Sequence, residues 1–446
     1  MEAKANKTGA NAESIFSEPV VNALNCEFAK QTREQAVGLR RALRGVPAGR
    51  GSERLRSRLK RGGFATSAQH EVSNGLPLLN IENQEVYMAE LKYSGTYEAA
   101  LETSKKIEVD ILKNPQKYRV LTGDRPTGRL HIGHYFGSLQ NRVRLSKLGV
   151  PTMILIADYQ VLTDHDAYQE ISQNTKQLVI DYIASGIEPS DNVLIFPHSY
   201  IPEANQLMVP FLTLVTNAEL SRNPTVKEEI QSAGLKSVNA GMYTYPVHQA
   251  VDILFCKGNV VPVGKDQLPH LEITRTIARR FNEKFCKDRE PVFPEPQALL
   301  SKTPNILGLD GSQKMSKSRG NAIFLSATED ETAHLVKKAK TDSERHITYD
   351  PENRPEVANL LMIISLCTGE VPEKVAERIG DGGGGMLKNE LTIALNETLK
   401  PIRQRRAELE KNMAYIQDVL HTSVKKTREI AEKTLEEVRA AMNMEI

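Results

Sequence analysis

The chain predicts an α/β fold, a parallel-sheet domain followed by an α-helical one. Three observations carry the prediction. Short apolar strands at 118–122, 152–157 and 193–196 alternate with helical spacings at 135–148 and 168–185, the βαβ grammar of a parallel sheet. A turn holding Gly123, Gly128 and Gly133 joins the first strand to the first helix. Beyond residue 325 the apolar positions recur at helical intervals.

The elements follow in order. Residues 1–70 are polar and then Arg-rich, with Arg40-Arg41, Arg44, Arg50, Arg54, Arg56, Arg58 and Lys60-Arg61. They predict a disordered extension without an apolar face to bury. Residues 71–116 form a helical linker region, its pattern carried by Val86, Leu91, Tyr97, Ala100, Leu101, Ile107, Ile111 and Leu112. Residues 117–325 are the sheet domain, with a helical insertion at 203–245. Residues 326–446 are the helical domain, in which Leu409, Met413, Ile416, Leu420, Val424, Leu435, Val438 and Met442 mark one face across 401–442. Gly382 to Gly385 read as a flexible loop; no strand precedes them and no Lys-Ser/Thr follows, so they are not a phosphate cradle.

Two motifs carry the chemistry. The first runs Gly123-Asp124-Arg125-Pro126-Thr127-Gly128-Arg129-Leu130-His131-Ile132-Gly133-His134. It sits on a strand-to-helix turn, where α/β folds bind phosphates. His131 and His134 are three apart, so both imidazoles can face one side of the first helical turn and donate to phosphate oxygens as charge develops. The second motif is Lys314-Met315-Ser316-Lys317-Ser318, delivered by the turn Leu309-Asp310-Gly311-Ser312-Gln313. Lysine is a compact point charge suited to a pyrophosphate.

In this order and at this distance the pair resembles the HIGH and KMSKS signatures of class I aminoacyl-tRNA synthetases. The resemblance implies a Rossmann-like catalytic domain and a loop that closes over the ATP triphosphate and moves as pyrophosphate leaves. It implies His131, His134, Lys314 and Lys317 as catalytic residues. The ATP site would be Arg125, Thr127, Gly133, His134, Gly264, Asp266, Gln267, Lys314, Met315, Ser316, Lys317 and Ser318.

The block from Asn239 to Leu254, followed by Val261-Pro262-Val263-Gly264-Lys265-Asp266-Gln267 and by His270-Leu271-Glu272, resembles the tryptophanyl members of that class. So does Lys340-Thr341-Asp342-Ser343-Glu344 with Tyr349-Asp350. An indole is a large apolar body with one N–H, so its pocket needs one acceptor among apolar walls. The resemblance implies Asp252 as that acceptor, Leu121, Val261 and Val263 against the ring, and Tyr245 and Gln249 at the amino group. Gln249 departs from a methionine, and Gln160 from a histidine, common in bacterial relatives. The Gln249 and Asp252 pair is also similar to the polar pair that tyrosyl enzymes present to a phenol. His198, His248 and His270 lack metal-ligand spacing and read as polar lining or satisfied core groups, and no metal-binding residue is expected.

The expected activity is thus that of a tryptophan–tRNA ligase using ATP and Mg²⁺, with L-tryptophan and tRNA(Trp) as partners and a homodimer as the assembly. A tyrosyl enzyme is the first alternative. A non-charging, RNA-binding relative is the second, and the intact His131, His134, Lys314 and Lys317 count against it. At 446 residues the chain has room for two or three domains. A net charge of +2 excludes a polycationic protein while leaving room for a local basic stripe. The 4 cysteines form no CxxC or Cys/His cluster, which predicts a reducing compartment and no structural zinc. No apolar run reaches membrane-spanning length. A cytoplasmic location is expected. A mitochondrial or plastid one is the alternative if the Arg-rich extension is a transit peptide, a reading that Glu2, Glu13 and Glu18 oppose.

Overall fold

The computed structural model describes residues 97–446 except 165–166, 233–237, 302–305, 312–313 and 318. The extension predicted at 1–70, the linker up to residue 96, and Ser318 lie outside the described residues. Residues 100–446 form one compact unit.

Its centre is a five-stranded sheet of β1 (Val120–Asp124), β2 (Thr152–Ile156), β3 (Val193–Pro197), β4 (Val260–Val263) and β5 (Gln297–Leu300). The strands are all parallel and ordered β3-β2-β1-β4-β5. The order reverses between β1 and β4, and a ligand crevice opens at such a point beyond the carboxyl ends of the strands. Here the sequence widens it. β1 pairs with β2 along its whole length, from Val120↔Thr152 to Asp124↔Ile156, but with β4 only at Val120↔Val260. Pro262 in β4 has no N–H to donate, and the two strands part beyond that pair.

β1 begins and ends two residues later than the predicted 118–122. Gly123 and Asp124 extend it by pairing with Leu155 and Ile156 of β2, which runs so close that a Cβ on Gly123 would lie 2.2 Å from the Leu155 carbonyl oxygen. β4 and β5 were not foreseen as strands; both are four residues long, too short for a clear periodicity.

The first helix, α1, starts as Ile132–His134, passes through a π-helical turn at Tyr135–Leu139 and continues as Gln140–Lys147. α2 (Ile171–Ala184) crosses from β2 to β3 and is nearly all buried from Leu178 onward. The insertion at 203–245 is a set of short helices leading into α3 (Ala240–Phe255), which Asn239 caps by accepting from Met242 N–H. α4 (Leu268–Phe285) follows β4.

The longest helices of the helical part are α5 (Pro355–Thr368), α6 (Gly383–Glu410) and α7 (Met413–Ala441), with shorter ones at Glu329–Lys338 and Pro372–Ile379. α6 packs on α2 and α5, while α7 packs on β3. Leu387, Leu391, Leu395, Leu399, Ile402 and Leu409 form the buried stripe of α6, in one core cluster with Leu130, Ile132 and Phe136 of the sheet domain. The predicted helical face across 401–442 is interrupted between α6 and α7, where Asn412 caps α7 by accepting from Tyr415 N–H. Gly382 to Gly385 are not a flexible loop. Gly380–Gly382 form a short turn and the following glycines open α6. A Cβ on Gly384 would sit 3.2 Å from Thr341 Oγ1, so this glycine serves a close approach.

Candidate active site

The crevice between β1 and β4 brings the two motifs together. Leu130–Ile132 lies beside Ile323–Leu325: Ile132 N–H donates to Ile323 O at 2.9 Å and Leu325 N–H to Leu130 O at 3.0 Å. The glycines of the first motif seat the second. A Cβ on Gly128, whose φ is +127°, would lie 3.6 Å from Lys317 Nζ, and one on Gly133 would lie 3.5 Å from Met315 Cβ. A Cβ on Gly133 would also press on the His131 ring at 3.0 Å. Gly133 therefore lets the imidazole fold back over the helix start. Asn321 braces the lysine loop, accepting from Ser316 N–H at 2.9 Å and donating to Asp310 Oδ1 at 3.0 Å.

The two imidazoles lie against each other at a tilt of 47°, with centroids 3.8 Å apart. The backbone N–H of His131 donates to His134 Nδ1 at 3.3 Å, so the proton of a neutral His134 is on Nε2. His131 Nδ1 is buried with no partner, an orphan that an arriving polar group can satisfy. Burial first, and then His134, Lys317 and Lys314, hold His131 down at about 3. Burial lowers His134 to about 4 despite the opposing pull of Asp124, with Lys317 and Arg142 adding to the depression. Lys317 is itself depressed by burial, against the attraction of Asp124 and Asp181. The site therefore gathers cationic and neutral donor groups, the setting an anionic phosphate chain completes.

Asp124, at the end of β1, does not face this site as a free carboxylate. Arg142 of α1 binds it at 2.5 Å and Tyr182 donates to it at 2.7 Å. Sequence reading missed both partners, which lie on different helices. Arg125 and Thr127 follow in the same turn, where Thr127 N–H donates to Arg125 O at 2.8 Å. Across the crevice, Gly264, Asp266 and Gln267 sit at the carboxyl end of β4, with Gln267 Nε2 donating to Asp266 Oδ2 at 3.2 Å.

The residues expected to hold the amino-acid side chain lie on β1, β4 and α3. Leu121, Val261 and Val263 are buried on β1 and β4. Tyr245, Gln249 and Asp252 lie at helical spacing on α3, with Tyr245 and Asp252 buried. Tyr245 OH pairs with His270 Nε2 at 2.9 Å, and burial lowers His270 to about 4. What the sequence hid is the company of Asp252. His198 Nδ1 stands 3.3 Å from each of its oxygens and His248 Nδ1 3.9 Å from Oδ2. Tyr159 closes over both rings, with centroids 5.1 and 6.1 Å away. The absence of metal spacing along the chain did not keep these groups apart: ligand atoms of His198, His248 and Asp252 lie within 4.8 Å of one another. One signal was present, since His248 precedes Asp252 by one helical turn.

The sheet, its widened switch point and the two joined motifs define a class I tRNA synthetase. Residues 113–400 match the family described as tRNA synthetases class I (W and Y). The tryptophan–tRNA ligase of Treponema pallidum is 39% identical over 346 residues, covering 73% of this chain and 97% of that protein. The tryptophan–tRNA ligase of Lactococcus lactis is 41% identical over 341 residues, covering 74% and 98%. Among solved structures, tryptophanyl-tRNA synthetase from Campylobacter jejuni, complexed with ADP and tryptophan, superposes with a TM-score of 0.64 at 28% identity, covering 73% of this chain and 99% of that one. The chain belongs to the class I tRNA synthetases (W and Y), within their tryptophanyl branch.

Proposed function

We propose that this chain is a tryptophan–tRNA ligase acting through the site just described. The observation that carries the reading is the meeting of Gly128 with Lys317 and of Gly133 with Met315, which joins the two motifs at the turn after β1. The tryptophan–tRNA ligase relatives support the choice of amino acid.

The activation step follows from the placement. ATP lies with its triphosphate against His131, His134, Lys314 and Lys317 and its nucleoside toward Gly264, Asp266 and Gln267. Tryptophan lies with its indole between Leu121, Val261 and Val263, its N–H on Asp252, and its amino group toward Tyr245 and Gln249. Its carboxylate attacks the α-phosphorus, the bond to the bridging oxygen breaks, and pyrophosphate leaves. The terminal ribose hydroxyl of tRNA(Trp) then takes the acyl group and AMP departs. The protein contributes positioning and charge stabilisation. Mg²⁺ would travel with the ATP. Asp124 is committed to Arg142 and Tyr182, so the ion would be held by phosphate oxygens and water, not by this carboxylate.

We propose further that the enzyme is a homodimer and that residues 326–446 contact tRNA. A cytoplasmic location is the working reading, with an organelle as its rival; fractionation of cells expressing the whole chain separates the two. ATP–pyrophosphate exchange against a panel of amino acids tests the activity. Exchange driven by tryptophan is expected; exchange driven by tyrosine, or none, overturns the reading.

A further inference from the structure

Asp252 has a built support that its assigned role does not explain. It is 3% exposed on α3. His198, 2% exposed, begins the turn that follows β3 and reaches Asp252 from the neighbouring layer. On its other side Nε2 meets the backbone N–H of Tyr159 at 2.8 Å and Asp158 Oδ1 at 3.2 Å. When Nε2 accepts from Tyr159 the proton of the neutral ring is on Nδ1, and when the ring is protonated against Asp158 both nitrogens carry one, so in either state Nδ1 is a donor. Nδ1 stands 3.3 Å from both oxygens of Asp252. A donor centred between the two oxygens opposes rotation of the carboxylate.

His248 plays the opposite part. Its Nε2 lies 3.0 Å from Asn205 Oδ1, an acceptor, so the proton is there and Nδ1 offers a lone pair 3.9 Å from Asp252 Oδ2. Two acceptors at that separation leave a place for one incoming donor. The three side chains also lie close enough to invite a cation. With Nε2 engaged by Tyr159, however, Nδ1 keeps its proton and has no lone pair to give, which favours the donor role.

We propose that His198 is a positioning residue for amino-acid selection: its Nδ1–H fixes the Asp252 carboxylate so that one oxygen, beside His248 Nδ1, receives the indole N–H. This rests on the reading of Asp252 as the indole acceptor. It assigns to Tyr159 a role through its backbone, independent of its side chain.

The test uses the whole chain and two amino acids: tryptophan, and benzothienylalanine, the isostere in which sulfur replaces the indole N–H. His198→Leu should raise the KM for tryptophan about tenfold with little change in kcat, while activation of benzothienylalanine stays within about twofold. His198→Gln, whose amide can accept from Tyr159 and donate to Asp252, should restore most of the preference for tryptophan. Should His198→Leu lose both amino acids alike, His198 is a support of the fold and the proposal is overturned. Asp252→Ala, which removes the acceptor, separates the underlying reading. If it abolishes the preference while His198→Leu retains it, the positioning role alone fails. If Asp252→Ala retains the preference, the acceptor assignment fails and takes the positioning role with it.

Discussion

Asp181 of α2 receives Arg406 of α6 on one oxygen and the backbone N–H of Leu130, at 2.9 Å, on the other. Leu130 immediately precedes His131. One buried carboxylate thus ties the helical part of the chain to the backbone of the first motif, and both members of the ion pair are at most 4% exposed in their side chains. Arg406 also donates to Gln177 and Glu410, so its guanidinium is well satisfied.

Removing the cation should be costly. Arg406→Ala leaves Asp181 buried and unpaired, a loss on the order of 3–5 kcal/mol. Urea denaturation should show a lower midpoint with an unchanged slope. Pairing Arg406→Met with Asp181→Asn keeps an acceptor for Leu130 while removing both charges, and should recover much of the stability. A double variant no better than Arg406→Ala would contradict this account of the pair.

Asp252→Ala strands the indole N–H of bound tryptophan. The loss in kcat/KM for tryptophan activation should be about 1–3 kcal/mol or more. Pyrophosphate exchange measures it, and near-normal tryptophan activation would refute the pocket assignment.

Lys314→Ala and Lys317→Ala should slow activation more than they weaken ATP binding, because charge on the departing pyrophosphate grows in the transition state. Single-turnover adenylate formation read beside ATP affinity makes the comparison. Equal losses in both would place the lysines in ground-state binding.

Three histidines should make stability depend on pH without ligand. His131, His134 and His270 stand at about 3, 4 and 4 in the fold, against an ordinary value near 6.5. The unfolded chain therefore binds more protons below that value, and stability falls as pH drops from 6.5 toward 4. Each group contributes up to about 1.4 kcal/mol per pH unit. His198, raised by Asp252 and Asp158 against its burial, works in the opposite sense: it stabilises most below 6.5 and loses that contribution as pH rises. Urea unfolding between pH 7 and 5 should show the net decline toward acid, and His131→Asn should make the slope shallower. A flat profile would argue that these rings are protonated in the fold.

The motifs were legible because each is contiguous and chemically narrow. β2 and β3 were legible because Thr152–Ile156 and Val193–Pro197 are buried throughout, which leaves an unbroken apolar run. What could not be read are relationships between distant segments. Nothing near Asp181 announces Arg406, and nothing near Asp252 announces His198, because each pair forms only once helices pack. Gly123 was taken for turn chemistry, yet it extends a strand because β2 lies against it. Gly384 misled in the same way, since a glycine that admits a neighbour and one that permits bending look alike in sequence.

The π turn at Tyr135–Leu139 sets the phase of everything after it. Relative to an α-helix it accommodates one extra residue, so the segment Gln140–Lys147 is rotated about 100° from where regular winding would carry it. Arg142 meets Asp124 in that rotated frame. Winding these same residues as a regular α-helix would swing the guanidinium away from β1 while leaving His131 and His134 where they are, whereas deleting the one extra residue would keep it in place. With the guanidinium swung away, Asp124 would face the phosphate site as an unneutralised anion. The extra residue acts as an indexing notch: the reading frame of one helix decides whether the triphosphate meets a neutral wall or a repelling one.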